Sequence, residues 1–201
     1  IRDVSESSGL GDVYKRQDLE LQAIFKLNQQ NTPEVGSLDS TEHLKRLIEL
    51  SAYNLLMLSD EEIIGFIICM REGSIYESEN YKFFKQRLKK FLYVDRVAID
   101  ERHRRSGLGK EIYEDIFAHA SNDNLPIALE VNTQPINQPS LNFHEKMGFE
   151  KVGSKDFDDQ SGIDTENIFY SIKTNYLKIL VDNLDISPPN NTDIYNYSIP
   201  N

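Results

Sequence analysis

Residues 91–99 form an apolar stretch that runs into a basic turn, Glu101-Arg102-His103-Arg104-Arg105-Ser106, and then into Gly107-Leu108-Gly109 at the head of a helical pattern. This succession constrains the fold more than any other segment. A strand that ends in a glycine turn and feeds a helix gathers several backbone N–H groups, with the positive end of a helix dipole, at one point. Side chains at the glycines would block an anion from approaching, while Arg104, Arg105 and Lys110 add positive charge beside it. A pyrophosphate is the natural occupant, and a solvated helix start is the alternative. The spacing matches neither Gly-x-x-x-x-Gly-Lys-Ser/Thr nor Gly-x-Gly-x-x-Gly, which argues against a Walker loop and a Rossmann dinucleotide site.

The flanking segments place this turn in an α/β context. Leu19, Leu21, Ala23, Phe25 and Leu27 alternate with mostly polar neighbours and predict a strand. Residues 33–38 fit a short helix, and Asp39 with Glu42 resembles a capping box opening a helix whose apolar face is Leu44, Leu47, Ile48 and Ala52. Residues 54–58 and 63–70 are apolar strands joined through Ser59-Asp60-Glu61-Glu62, a hairpin. Residues 71–90 predict a loop and a short helix, 108–120 a helix buried through Ile112, Ile116, Phe117 and Ala120, and 127–131 a strand. A short helix over 139–147, a strand over 149–153 and a last strand over 167–173 follow.

A second constellation lies downstream. Leu129-Glu130-Val131-Asn132 ends a strand, Asn137 precedes a helix carrying Ser140, Phe143 and His144, and Gly148-Phe149 leads into the next strand. Gly148 fits the left-handed residue that closes a helix. The two segments together resemble the GNAT superfamily of N-acetyltransferases. Arg104-x-x-Gly107-x-Gly109 is similar to that family's pyrophosphate loop, and Asn137-x-x-Ser140-x-x-Phe143-His144-x-x-x-Gly148-Phe149 to its Asn-x-x-Ala/Ser-x-x-Phe-Tyr-x-x-x-Gly-Phe helix. The likeness extends over residues 19–173 and is nearest an uncharacterised bacterial branch.

The resemblance implies a mixed, twisted sheet of six to seven strands with helices on both faces and two splayed central parallel strands. Acetyl-coenzyme A, as co-substrate, would lie in the gap between them. Its pantetheine arm would pair with backbone at Val97, Ala98 and Ile99, its pyrophosphate would rest on Arg104, Arg105, Ser106, Gly107, Leu108, Gly109 and Lys110, and Asn137 and Ser140 would border it. The family passes acetyl directly from thioester to amine, here of a small molecule or peptide. Its usual acid for the departing thiolate is the tyrosine after phenylalanine, a position held by His144. A neutral imidazole can donate a proton or accept one from the amine, and packing alone is the other reading.

Asp95 and Glu130 are the candidate bases. Period two puts Asp95 on one face with Tyr93, Val97 and Ile99, where it could hold the amine, act through water or pair with an arginine. Tyr76, Glu77 and Tyr81, with Asn80 and Phe84, are candidate substrate contacts suited to a cation; a local apolar core is the alternative. His43, His103 and His119 fit surface positions, and no metal site is expected. A catalytically weak acyl-CoA-binding module that senses cofactor or regulates a partner is the competing function.

Composition narrows partners. With 22 basic and 33 acidic residues among 201, the net charge of −11 repels phosphate backbones, so nucleic acid is not an expected partner. No apolar run approaches the ~20 residues that span a bilayer. A single cysteine, Cys69, precludes an internal disulfide and fits a cytoplasmic location; a homodimer remains open. Residues 1–17 are polar and aperiodic, resembling translated adaptor sequence at the ends of metagenomic reading frames or a disordered leader, so the domain is expected over 18–178. Residues 179–201, rich in Asn and Pro, are expected to form a tail without a fold of its own.

Overall fold

In a computed structural model, residues 7–158, 164–172 and 193–198 are described. The expected strand at residues 19–27 is instead part of helix α1 (Ser7–Gln30), which also crosses the boundary expected near residue 18. Two apolar periods compete in this segment. Leu21, Ile24 and Leu27, at helical spacing, are the buried set, whereas Leu19 is 59% exposed. Residues 33–38 form a turn and bend rather than a helix, with Val35 and Leu38 buried.

Helix α2 (Thr41–Leu50) is capped by Ser40, whose Oγ accepts from His43 N at 3.2 Å, so Asp39 is not the cap. Ala52, expected on the buried face of α2, lies beyond the helix and is exposed. Strands β1 (Tyr53–Ser59) and β2 (Glu62–Arg71) form the expected hairpin. Asp60 and Glu61 turn it with φ of +50° and +65°, the left-handed pair that matches strand twist. Helix α3 (Glu79–Lys85) precedes β3 (Leu92–Ile99). A one-turn 3₁₀ segment (Glu101–His103) leads to α4 (Leu108–Asn122), then β4 (Ile127–Asn132) and α5 (Gln138–Lys146). The chain continues through β5 (Glu150–Asp158), β6 (Asp164–Ile172) and β7 (Asp193–Asn196). The last of these, within the segment expected to lack a fold, pairs antiparallel with β1.

One seven-stranded mixed sheet results, in the order β5-β6-β4-β3-β2-β1-β7. Only β3 and β4 pair in parallel among the described strands, and only at Leu92–Ile127 and Tyr93–Ala128. Beyond Tyr93 the two strands part, leaving the expected splay. Each face of the sheet carries a core. On one face Leu108, Ile112, Ile116 and Phe117 of α4 and Leu141 of α5 pack on Val94, Leu129 and Val131. On the other, Ile24 of α1, Leu44 and Leu47 of α2, and Tyr81 and Phe84 of α3 pack on Phe66, Tyr93, Ala128 and Phe169. Cys69 is fully buried, and burial raises its thiol pKa, as befits a core thiol.

β3 carries one irregularity of consequence. Cys69 of β2 pairs with Val94 and Ile68 with Arg96, so Asp95 is an extra residue in a bulge. Tyr93 and Ala98 join the core beneath α1–α3, whereas Val97 and Ile99 pack on the α4–α5 side. The face expected to hold Tyr93, Asp95, Val97 and Ile99 together therefore does not exist; the bulge resets the alternation.

Candidate functional site

The glycine turn is built by a series of short-range bonds. Asp100 caps the 3₁₀ segment, accepting from Arg102 N at 2.9 Å, and the Arg102 side chain holds the Asp100 carboxyl down at about 2. The Ser106 hydroxyl donates to His103 O at 2.6 Å. Gly107 sits at φ +103° and begins α4 with no side-chain cap. That conformation needs glycine, and the missing cap leaves the first N–H groups of α4 available to an outside acceptor. Gly109 differs. An added Cβ there would meet only ordinary contacts, 3.6 Å from the Phe143 ring and 3.8 Å from Ile99 Cδ1, so packing tolerates more than glycine.

The charged residues of the turn divide. Arg104 turns toward the α1–α2 loop, donating to Asn31 Oδ1 at 2.7 Å and Ile99 O at 3.3 Å. Lys110 pairs with Glu114 at 3.1 Å. Arg105 is exposed, with φ +63°. One feature was not foreseen from sequence. The Glu111 carboxyl lies 3.6 Å from the Cβ position of Gly107, its Oε2 is buried without a partner, and burial, then Glu114, raises its pKa. A carboxyl one turn into α4 was visible in the sequence, but its fold-back onto the turn was not.

Val97 and Ile99 are partly exposed and line the splay from β3, while Ala98 points to the opposite core. Past Tyr93, β3 is bonded to β2 alone among the described strands, so its other edge is free for an extended ligand. Asn137 is the N-cap of α5, its Oδ1 accepting from Ser140 N at 3.2 Å. Gly148, at φ +88°, closes α5 and delivers Phe149 into the core at 4% exposure.

His144 is buried and engaged on both ring nitrogens. Nδ1 lies 2.8 Å from Ser140 O and 3.2 Å from Ser140 Oγ, and Nε2 lies 2.7 Å from the Tyr113 hydroxyl. Because a carbonyl only accepts, the Ser140 O contact assigns the proton to Nδ1 and makes Nε2 the acceptor from Tyr113. Rings of Tyr113, Phe143, Phe149 and Tyr170 enclose the imidazole. Burial pushes its pKa down to about 4, so it is neutral at physiological pH. Nothing in the sequence marks Tyr113 as more than part of a helix, because a tyrosine at a buried helical position gives no polar signal.

On the other face, beneath α3, Glu130 accepts from Tyr93 Oη at 2.7 Å and from Asn80 Nδ2 at 2.9 Å. Burial, reinforced by the charge of Asp95, raises its pKa to about 8 against those hydrogen bonds. Asp95 is paired with Arg96 at 2.9 Å, both side chains nearly sequestered at 4% and 7% exposure. Tyr76 adjoins this pair, its phenol pushed up by burial and by Asp95. Of the other two expected substrate contacts, Tyr81 packs against Tyr76 and Tyr93 inside the core and Glu77 points to solvent. Tyr81 is fully buried with its hydroxyl donating to Arg71 O at 2.7 Å, and Glu77 is exposed and paired with Lys82 at 2.9 Å. His43 approaches Asp39 at 3.4 Å, His119 stacks on Tyr53, and His103 stays in the turn.

A sheet parted between two central parallel strands, with a bare glycine-capped helix at the mouth of the gap, defines the acetyltransferase fold. The family model described as "Acetyltransferase (GNAT) family" matches residues 21–149, and the chain belongs to that family. Solved structures agree in fold. A protein of Streptococcus mutans UA159, smu.2055, superposes with a TM-score of 0.60 at 17% identity, covering 78% of this chain and 94% of the other. The ribosomal-protein-S18-alanine N-acetyltransferase from Escherichia coli gives 0.56 at 15%, covering 78% and 88%. Arabidopsis thaliana NAA60 in complex with acetyl-CoA gives 0.59 at 15%, covering 78% and 94%. No curated protein matches the sequence.

Proposed function

We propose that the protein transfers an acetyl group from acetyl-coenzyme A directly to a primary amine of a small molecule or peptide, with Glu130 as the base. The residues present fit the co-substrate. The uncapped turn at Gly107, with Arg105 exposed beside it, would hold the pyrophosphate, and the free edge of β3 at Val97–Ile99 would pair with the pantetheine arm. The thioester supplies the acetyl group; the chain supplies orientation and proton handling. Backbone N–H groups of β3 facing the gap would polarise the carbonyl.

The observation that carries this reading is Glu130. It stands on the face of the sheet opposite the pyrophosphate turn, bonded by Tyr93 and Asn80, and burial pushes its pKa up to about 8, near the optimum for a base at neutral pH. Tyr93 and Asn80 fix its two oxygens, and Tyr76 lies on the same face beside the Asp95–Arg96 pair.

His144, neutral and held on both nitrogens, favours a second reading, an acyl-CoA-binding module of low turnover. Thiol release from acetyl-coenzyme A in the presence of small amines and peptides separates the two. Turnover that falls at least a hundredfold in Glu130→Gln, with co-substrate binding intact, is the expected result. Saturable binding with no thiol release for any amine would favour the module.

A further inference from the structure

We propose that a cavity bounded by the end of α2, the start of β1, the last turn of α4 and the end of β7 is a second binding site, and that its ligand is an organic primary ammonium on an apolar or aromatic body. The cavity holds about 550 Å³, within the range that small ligands fill. It is remote from the cofactor turn. His119, which lines it, lies about 16 Å along α4 from Leu108 at the helical rise. On the sheet, Tyr53 is in register with Cys69 and Cys69 with Val94, beside the joined end of the β3–β4 seam, whereas the splay opens toward Ile99.

Asn54, 8% exposed, supplies the recognition. Its Nδ2 donates to Ser51 Oγ at 2.5 Å and to Tyr197 O at 3.3 Å. Tyr197 O is a carbonyl and only accepts, and the Ser51 hydroxyl donates its proton to Ile48 O at 2.5 Å, so both neighbours require the NH₂ end of the amide. Oδ1 is left as a buried acceptor with no partner among the described residues, and the Tyr197 hydroxyl is in the same condition. Burial, then the charge of Glu20, pushes the Tyr197 phenol up to about 12, so it keeps its proton at neutral pH. Such atoms cost stability that hydrogen bonds from a ligand would recover. Charge then selects the ligand. None of the described lining residues is lysine or arginine, Glu49 stands exposed at the rim, and burial keeps His119 neutral. Arg71, whose charge reaches His119, is itself paired with Glu72 and Asp123. Tyr53, its hydroxyl donating to Asp115, and His119, stacked on it, add aromatic surface. An ammonium would donate to Asn54 Oδ1 and Tyr197 Oη under the attraction of Glu49, with its apolar body against Ile48 and the rings.

The test titrates the full chain with phenethylammonium and follows amide resonances by NMR. Salt at about 0.15 M screens the general attraction of a net charge of −11 for cations. Resonances of residues 51–54, His119 and 196–198 should shift saturably, whatever happens near Glu130 and Asn80, where an acceptor amine would bind. Tyr197→Phe removes a hydroxyl that bonds nothing among the described residues, and Glu49→Gln an exposed charge, so both variants should fold as the wild type does. Read at these resonances, Tyr197→Phe should weaken binding about three- to tenfold and Glu49→Gln about two- to fivefold. Asn54→Leu should abolish the shifts, but it also frees Tyr197 O from Asn54. The uncharged probe 2-phenylethanol makes the same point without a mutation, and it should bind about tenfold more weakly or worse. Unmoved cavity resonances at tens of millimolar phenethylammonium overturn the proposal, as do shifts confined to the surroundings of Glu130. Equal affinity in the wild type, Tyr197→Phe and Glu49→Gln overturns it too, and so does an alcohol that binds as tightly as the ammonium. No readout here is turnover, so the result stands whether or not Glu130 is the base.

Discussion

Replacing Glu130 by glutamine should change how stability depends on pH, independently of any activity. Folded Glu130 holds its proton up to about pH 8, against an ordinary value of 4.5. Its contribution is therefore complete below about pH 4.5 and is lost as pH rises through 8, because the folded state binds the proton more tightly than the unfolded chain. At about 1.4 kcal/mol per pH unit the limit is about 5 kcal/mol, and screening at a partly accessible carboxylate brings it to about 2–3 kcal/mol. His144 acts in the opposite sense. Its lowered value, about 4 against 6.5, costs stability as pH falls through that window. That effect is common to both proteins and cancels in their difference. Urea unfolding at fixed ionic strength from pH 5 to 9 should show the wild type losing about 2–3 kcal/mol relative to Glu130→Gln, a relative Tm change of about 5–10 °C for a chain of this size. Parallel curves over that range would refute the assignment of a half-buried, proton-retaining carboxyl.

Two further outcomes concern the turn. Gly107→Ala forces a side chain into φ +103°; it should cost about 1 kcal/mol of stability and weaken acetyl-coenzyme A binding at least tenfold by isothermal titration. Glu111→Gln removes the carboxyl folded beside Gly107. It should tighten that binding about three- to tenfold at low salt, with the gain shrinking as salt rises.

Much of the site was legible because its chemistry is local. The glycine turn, Asn137 before α5 and Gly148 after it each depend on a few consecutive residues, and the turn, the cap and the left-handed closure all appear where the sequence places them. The hairpin at Asp60–Glu61 was legible for the same reason. What failed to show depended on partners distant in sequence. The bulge at Asp95 exists only by reference to Ile68 and Cys69 of β2, so no periodicity in β3 could reveal it. α1 is not legible locally because Leu19–Leu27 satisfies two periods, and burial against β2 and β3 decides between them. The engagement of His144 required Tyr113, 31 positions away. β7 pairs with β1 from the far end of the chain, a contact no local pattern announces.

The brevity of the β3–β4 seam has a consequence for how such a protein can diversify. Two strands joined at only two register positions rest on a shared core that includes Ile112 and Ile116 of α4 with Val94 and Leu129. The gap is thus backed by core side chains as well as lined by Val97 and Ile99. A methyl group gained or lost at Ile116 would alter the support beneath both strands without touching the residues that line the gap.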